Sequence, residues 1–390
     1  MHAIHDRYDV LIAGARAAGA STAMLLARAG ARVLVVDPLP RGRDTLSTHA
    51  LMRGGVLQLH RWGLLDAVRS AGTPELPVTT FDYGDEVVSI PIKPRDGVDA
   101  LFAPRRTVLD PILADAAEAA GAHVVHGVSV TDLIRDARGR VRGAWLAGSD
   151  RVAFPVEAGL VIGADGVRSK VARLTEAPVE RQSRNTTASI YGYWKGLDRT
   201  EYRWYFRPGV GAGIIPTNDG DACVFLSVSP GLLAAAGREG LEDLFQDTMG
   251  AIDPRLASRL EPESRSGGLR AFAGEFGFLK RSWGPGWALV GDAGYFRDPL
   301  TAHGITDAFR DAELLAGAVI EGSDPALERY QAVRDSVATE ILDVTDEIAS
   351  VCWTMDEVKA LHHRLSKAMN ASLDVIRGWE APRGAVREVA

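Results

Sequence analysis

Residues 8–38, YDVLIAGARAAGASTAMLLARAGARVLVVDP, constrain this chain more than any other stretch. The apolar run 10–13 leads into Gly14-x-Arg16-x-x-Gly19, which opens an alanine-rich segment, and a second apolar run, 34–36, ends in Asp37. Strand, glycine turn, helix and strand in that order predict a βαβ unit with an acid at the tip of its second strand, the layout that binds dinucleotides. Gly14 allows the tight turn and Gly19 lets helix and strand pack closely. The backbone of Ala15, Arg16 and Ala18, at the helix start, offers free N–H groups to a pyrophosphate. Asp37 is placed to accept hydrogen bonds from a ribose. Arg16 stands where the middle glycine of G-x-G-x-x-G is usual; with its backbone turned outward, its guanidinium can lie beside the phosphates.

The rest of the composition narrows the class. With 390 residues, 46% hydrophobic and 24% charged, the chain has enough core for two domains. A net charge of −7 argues against nucleic acid as the main partner. The two cysteines, Cys223 and Cys352, form no CxxC pair, so neither a disulfide framework nor a zinc site is expected, and no metal is called for. No apolar run reaches the length of about 18 residues that a membrane span needs, and the first strand starts almost at once. The expectation is a cytoplasmic protein without signal peptide or membrane span, a monomer or homodimer.

Residues 51–69, LMRGGVLQLHRWGLLDAVR, follow a polar loop (41–49) and carry apolar residues at helical spacing, with Arg53 near the start. From the residues alone Arg53 is equally a solvated arginine or a phosphate contact. Residues 79–92 alternate as a hairpin ended by Pro91 and Pro94. Arg105 and Arg106 open a helix over 107–120, stopped by Gly121; a strand over 123–130 and the turn Arg138-Gly139-Arg140 then predict a β-meander inserted in the α/β domain. Residues 160–172, LVIGADGVRSKVA, run from a fully apolar strand into Asp165-Gly166, with a helix beginning near Ser169. A strand apolar on both faces belongs at the centre of a parallel sheet. An aspartate at its carboxyl end lies where such sheets bind ligands, and it can also cap the next helix.

From 187 to 229 the chain turns aromatic: Tyr191, Tyr193, Trp194, Tyr202, Trp204, Tyr205 and Phe206 lie on alternating strands with Gly209-Val210-Gly211 and Asn218-Asp219-Gly220 as turns. This predicts a separate antiparallel sheet, whose aromatic lining suits either a flat apolar substrate or a plain core. Residues 231–260 are helical in pattern. A third informative stretch, WALVGDAGYFRDPLTAHGITDAFRDAELLAGAV from Trp287, places Gly291-Asp292 at a strand end and Gly304 at the start of a long helix with Ala308, Ala312 and Leu315 on one face. A second helix N-terminus thus points back into the same crevice. Beyond 324 the pattern is mostly helical, with Val351, Trp353 and Met355 placed to pack on the body.

Three segments in this order resemble the group A, para-hydroxybenzoate hydroxylase-like flavoprotein monooxygenases, whose superfamily includes geranylgeranyl reductases and flavin-dependent halogenases: Gly14 to Gly19 with Asp37, the "DG" pair Asp165-Gly166, and the "GD" pair Gly291-Asp292 followed by Pro299 and Gly304. The resemblance implies an α/β fold: a Rossmann-like FAD-binding domain (5–76, 100–180 and 284–322) with an inserted β-meander, an antiparallel β-sheet substrate domain (77–99 and 181–283) and a C-terminal helical region (323–390). It implies FAD as cofactor, with NAD(P)H as a transient reductant shared with the Asp165 motif. By motif match, Asp37 would bind the adenosine ribose, Arg53 the pyrophosphate, Arg106 would lie over the cofactor, the backbone at Val130 would meet the adenine, and Asp292 would hold the ribityl or pyrophosphate region. Gly304 and Ile305 would bring a positive helix end to the flavin ring. The sequence departs from the family pattern at Gly294-Tyr295-Phe296 and at Ala302, and the halogenase W-x-W-x-I-P is absent: the nearest stretch is Gly211-Ala212-Gly213-Ile214-Ile215-Pro216.

With one glycine-rich fingerprint, NAD(P)H would bind briefly and leave. The resemblance then implies hydroxylation of an aromatic or polyketide-like molecule of secondary metabolism, with molecular oxygen, through a flavin C4a-hydroperoxide. Tyr191, Tyr193, Tyr205 and His303 are the candidates for substrate contact, since a tyrosine or histidine there could deprotonate a phenol. For each, packing or a structural hydrogen bond is the bland alternative. The rivals are a double-bond reductase like the geranylgeranyl reductases, a halogenase-like enzyme, and a flavin-binding redox sensor, which should show an exposed reactive cysteine.

Overall fold

A computed structural model describes residues 4–197 and 200–380. The first unit runs β1 (Arg7–Ala13), α1 (Ala17–Arg28) and β2 (Val33–Asp37), followed by α2 (Arg53–Trp62), α3 (Leu65–Ser70), β3 (Val78–Asp82), β4 (Val87–Pro91) and α4 (Arg106–Ala119). Next come β5 (His123–His126), β6 (Ser129–Arg135), β7 (Val141–Ala147), β8 (Ala153–Gly163), α5 (Lys170–Leu174) and β9 (Val179–Gln182). The aromatic segment supplies β10 (Ala188–Lys195), β11 (Glu201–Arg207), β12 (Val210–Pro216) and β13 (Asp221–Val228), then α6 (Pro230–Ala236), α7 (Leu241–Ile252) and α8 (Pro254–Ala257). Short strands β14 (Arg270–Phe272), β15 (Phe278–Lys280), β16 (Trp283–Gly284), β17 (Trp287–Leu289) and β18 (Tyr295–Phe296) precede α9 (Gly304–Glu321), α10 (Asp324–Ala349) and α11 (Met355–Gly378).

The first sheet has the order β16-β17-β8-β1-β2-β5, parallel from β17 to β5. Its central strands are buried on both faces. Val10 and Ile12 of β1 look into one core, built with α1, α4 and α9, whereas Leu11 and Ala13 look into a second core covered by the β6–β7 meander and α5. Alanines make α1 slim enough to pack against α4 and α9 together.

The second sheet has the order β14-β10-β13-β12-β11-β3-β4. It is not wholly antiparallel as expected: β3 lies parallel to β11, because β3 arrives from the first domain by a crossover through α2 and α3 rather than by a hairpin. Period-two alternation gives it two different faces. Tyr191, Tyr193, Trp204, Phe206 and Phe225 join the core of the first domain, while Ile190, Trp194, Tyr205 and Leu226 pack under α7 and α8.

One further expectation changes. Residues 51–69 form two helices, because Gly63 adopts φ 77 and ends α2 in the left-handed conformation. Of the two cysteines, Cys223 is buried and Cys352 is exposed. The tail packs on the body: Val351 and Trp353 are buried in the main core, and a Cβ on Gly54 of α2 would lie 2.7 Å from Ile376 of α11. Residues 381–390, which complete the expected helical region, lie outside the described residues.

Candidate active site

The three motifs meet at the carboxyl ends of β1, β2, β8 and β17. Gly14 has φ 107, and a Cβ there would lie 2.3 Å from the Ala164 carbonyl oxygen at the end of β8. A Cβ on Gly19 would lie 1.8 Å from the Gly14 carbonyl oxygen, so the start of α1 sits directly on the turn. Gly291 has φ 59, and its Cβ would lie 2.8 Å from the methyl of Ala18. Glycine is therefore a steric demand at all three points. Arg16 carries φ −99 and ψ −162; the α1 start has no capping side chain and no acid in its first turn, so its N–H groups remain available to an anion.

Asp37 is buried and accepts from the Ala15 amide at 3.0 Å and the Leu39 amide at 2.8 Å. Each carboxylate oxygen keeps a lone pair, and Asp37 lines a cleft with Ala15, Arg16, Arg43, Asp110 and His126. Arg106 donates from Nε to Asp110 at 2.9 Å, and burial raises the pKa of that acid even with Arg106 beside it. Asp110 Oδ2 has no partner among the described residues. Asp292 is exposed at the end of β17, yet the protein packed around it disfavours its charged form and pushes its pKa up to about 6 against the pull of Arg106 and Arg297. Val130 is buried in β6.

The Ala15 amide, expected to be free for a pyrophosphate, is taken by Asp37, and two further predicted residues are engaged within the protein. Arg53 donates to the carbonyls of Val98 (3.2 Å) and Lys93 (2.7 Å), and would have to leave both to reach a pyrophosphate. Asp165 accepts from the Ser169 hydroxyl and from the Lys170 amide at 2.6 Å, which makes it a cap for α5.

Pro299 opens a short turn, Pro299–Thr301, in which Asp298 accepts from the Leu300 amide at 3.0 Å and the Thr187 amide at 2.6 Å, tying the turn to the start of β10. Ala302, at the usual glycine position, has φ 49, a conformation that costs an L-residue about 1 kcal/mol. Gly304 is exposed at the uncapped start of α9, next to buried Ile305. His303 is buried, with Nδ1 3.1 Å from Asp307 Oδ1; Arg297 and Arg310 hold the same carboxylate at 2.9 and 2.8 Å. Burial alone would raise the Asp307 pKa, but Arg297, Arg310 and His303 outweigh it and hold it well below the carboxylate range. Burial lowers the His303 pKa despite Asp307.

Of the three candidate tyrosines, Tyr191 and Tyr193 face the first domain, whereas Tyr205 is turned to the far face under α7 and α8. Tyr205 follows Trp204 on one strand, and strand alternation separates the two. The structure adds residues that periodicity could not reveal. His49, fully buried with φ 66, places Nε2 2.5 Å from the Tyr193 hydroxyl. Arg105 stacks 3.7 Å above the Tyr193 ring and pairs with Asp44 at 3.1 Å; Arg270 pairs with Asp44 at 2.7 Å. The only sequence signal for His49 was its place in the polar loop before α2. Among the described residues no cluster of histidine, cysteine or acidic side chains could hold a metal ion, and no helix is long and apolar enough to cross a membrane.

A parallel sheet with a glycine cradle at its switch point, an acid at the tip of β2, and a second sheet whose aromatic face packs into the same core define a dinucleotide-binding α/β fold. The comparisons agree: residues 7–345 match the family model described as "FAD binding domain", and the chain belongs to that family, within the flavoprotein monooxygenase superfamily. It is 27% identical to squalene epoxidase erg1 of Schizosaccharomyces pombe over 83% of this chain and 72% of that protein. It is also 27% identical to a digeranylgeranylglycerophospholipid reductase of Methanosarcina mazei, over 92% of this chain and 89% of that one. Solved structures of similar fold include FAD-dependent monooxygenases and halogenases; the flavin-dependent brominase Bmp2 superposes with TM-score 0.79 over 96% of both chains at 20% identity, a likeness of fold alone. FAD is thus the group that the cradle of Gly14, Gly19 and Asp37 fits, and FAD-dependent oxidoreductases are the superfamily.

Proposed function

We propose that this chain is an NAD(P)H-dependent monooxygenase that inserts oxygen into an aromatic or polyketide-like small molecule. The carrying observation is the roof of the crevice. The aromatic face of the second sheet, Tyr191, Tyr193, Trp204 and Phe225, shares one core with the Pro299–Gly304 segment, and a Cβ on Gly211 would lie 2.7 Å from Leu300 Cδ1. A flat substrate held on that face would lie beside the start of α9. Bound there, FAD would supply electron transfer from NAD(P)H and activation of molecular oxygen. The chain's own part is to hold the pyrophosphate on the α1 start, turn the positive end of α9 toward the reduced ring, and keep water off the substrate. Tyr191 and Tyr193 orient the substrate, and Gly291, Asp292, Pro299, Gly304 and Ile305 bound the cofactor side.

A second reading has its own support: the relative from Methanosarcina mazei is named as a reductase, which favours reduction of carbon–carbon double bonds on the same scaffold. The FAD-loaded protein is mixed with NADH or NADPH without air, and flavin bleaching is followed; air and 2-naphthol are then admitted and products are weighed by mass spectrometry. One added oxygen atom per NAD(P)H oxidised is the expected result. Reduced flavin that persists in air until an isoprenoid alkene is supplied overturns it in favour of the reductase.

A further inference from the structure

The hydroxyl of Tyr193 and Nε2 of His49 form a buried neutral pair. Burial pushes the Tyr193 phenol well above its ordinary value and drops the His49 imidazole to about 3, with Arg105 and Arg106 acting in the same direction on the histidine. Each partner therefore carries one proton near neutral pH. If the imidazole proton sat on Nε2, both the Tyr193 hydroxyl proton and the Nδ1 lone pair would lack a partner. If Tyr193 donates to Nε2 across the 2.5 Å contact, only one group is left over, the N–H at Nδ1. One unpaired buried group costs less than two, which selects the Nδ1–H tautomer.

That leftover donor is not alone. Tyr191 stands at right angles to Tyr193, ring centres 5.9 Å apart; Arg270 approaches its buried hydroxyl as a donor, and the hydroxyl's own proton has no acceptor among the described residues. The charged groups around the pair are three guanidiniums, Arg105, Arg106 and Arg270, and two acids, Asp44 and Asp221. Asp44 is held by Arg105 and Arg270, and Asp221 by Ser266 at 2.9 Å with Arg105 3.7 Å away. Both acids are already engaged, and the buried polar atoms without a partner around the Tyr193 ring are His49 Nδ1, the Tyr191 hydroxyl and Arg105 Nε, all of which can donate. A hydrocarbon could satisfy none of them.

We propose that His49 Nδ1–H and the Tyr191 hydroxyl, braced by Tyr193 and Arg105, form a recognition subsite for an acceptor oxygen of the substrate, a ring carbonyl or a phenol oxygen. The inference rests on the reading that substrate lies on the aromatic face, and it narrows the substrate class from apolar molecules in general to oxygenated aromatic rings. His49 is a binding residue here, contributed by the loop after β2 and not by the sheet.

The test is a binding titration on the FAD-loaded protein without NAD(P)H, following the visible flavin band with 2-naphthol, 1-tetralone and naphthalene as probes of one shape. The two oxygenated probes should bind at least about tenfold more tightly than naphthalene. His49→Phe should erase that preference while the Kd for FAD stays within about twofold, and His49→Gln, which keeps an N–H donor, should restore part of it. Should His49→Phe not fold, Tyr191→Phe reads the second donor in the same way. Equal binding of naphthalene and 2-naphthol, no binding of either oxygenated probe, or a His49→Phe effect confined to FAD affinity overturns the proposal. Oxygen insertion is measured separately, so a protein that prefers 2-naphthol but adds no oxygen defeats the monooxygenase reading alone.

Discussion

Nδ1 of His303 lies 3.1 Å from Oδ1 of Asp307, one turn further along α9. With Arg297 and Arg310 on the same carboxylate, the pair belongs to a buried ion network beneath the Pro299–Gly304 segment. A histidine so bound is fitted to fix the start of α9, which distinguishes it from the catalytic role expected from its place before Gly304.

Asp307→Asn therefore leaves the buried Arg297 guanidinium without its carboxylate, while Arg310 keeps Asp311 at 2.7 Å, and we expect a loss of about 3 kcal/mol in denaturant unfolding of the FAD-loaded protein. His303→Ala should cost less, about 1–2 kcal/mol, with kcat reduced no more than about tenfold. A fall in kcat of about a thousandfold at unchanged stability would instead make His303 a general base.

Gly19→Ala forces a methyl onto the Gly14 carbonyl oxygen. Backbone must move at the point where α1 meets the turn, so we expect FAD affinity to fall at least about a hundredfold, read by fluorescence titration of the apoprotein. Retention of FAD within about threefold would show that the cofactor does not use this cradle.

Glu313 is buried in α9 and accepts from Trp62 Nε1 at 3.0 Å. Burial raises its pKa from 4.5 to about 7, opposed by Gln58, Trp62 and Arg61. The native state then holds a proton that the unfolded chain has released, so stability falls as pH rises between about 4.5 and 7 and is flat above. Glu313→Gln should remove about 3 kcal/mol of that decline, so the variant exceeds the parent at pH 8 and converges with it near pH 4.5 in urea unfolding. Parallel curves for the two proteins would refute a buried proton at Glu313.

Tyr205→Phe, on the far face of the second sheet, should leave kcat/KM within about twofold, whereas Tyr191→Phe should raise KM about tenfold. Equal effects would show that the substrate does not lie on the face that joins the first domain.

The local features were legible in the residue order. The βαβ unit, the parallel strand before Asp165 and the strand–turn–helix around Gly291-Asp292 are each carried by a few consecutive residues, and turn chemistry and apolar runs mark them directly. Asp165 was legible as a ligand contact that can also cap the next helix, and the geometry shows the cap. The break at Gly63 was missed because apolar spacing carries on across it. The parallel pairing of β3 with β11 joins segments more than a hundred residues apart and leaves no mark in either.

The sequence by itself determined the class of cofactor: glycines at 14 and 19 with an acid at 37 are demanded by the close approach of one turn to one helix, a relationship settled within about thirty residues. Only the tertiary structure decided which polar groups share the face turned to the first domain. His49 and Tyr193 are 144 positions apart, and their contact exists because β10 pairs with β13 in a register that turns Tyr193 and Cys223 toward the first domain. The same alternation turned Tyr205 away. A shift of one residue in that pairing would exchange the two faces, and nothing local to either tyrosine records which way it falls.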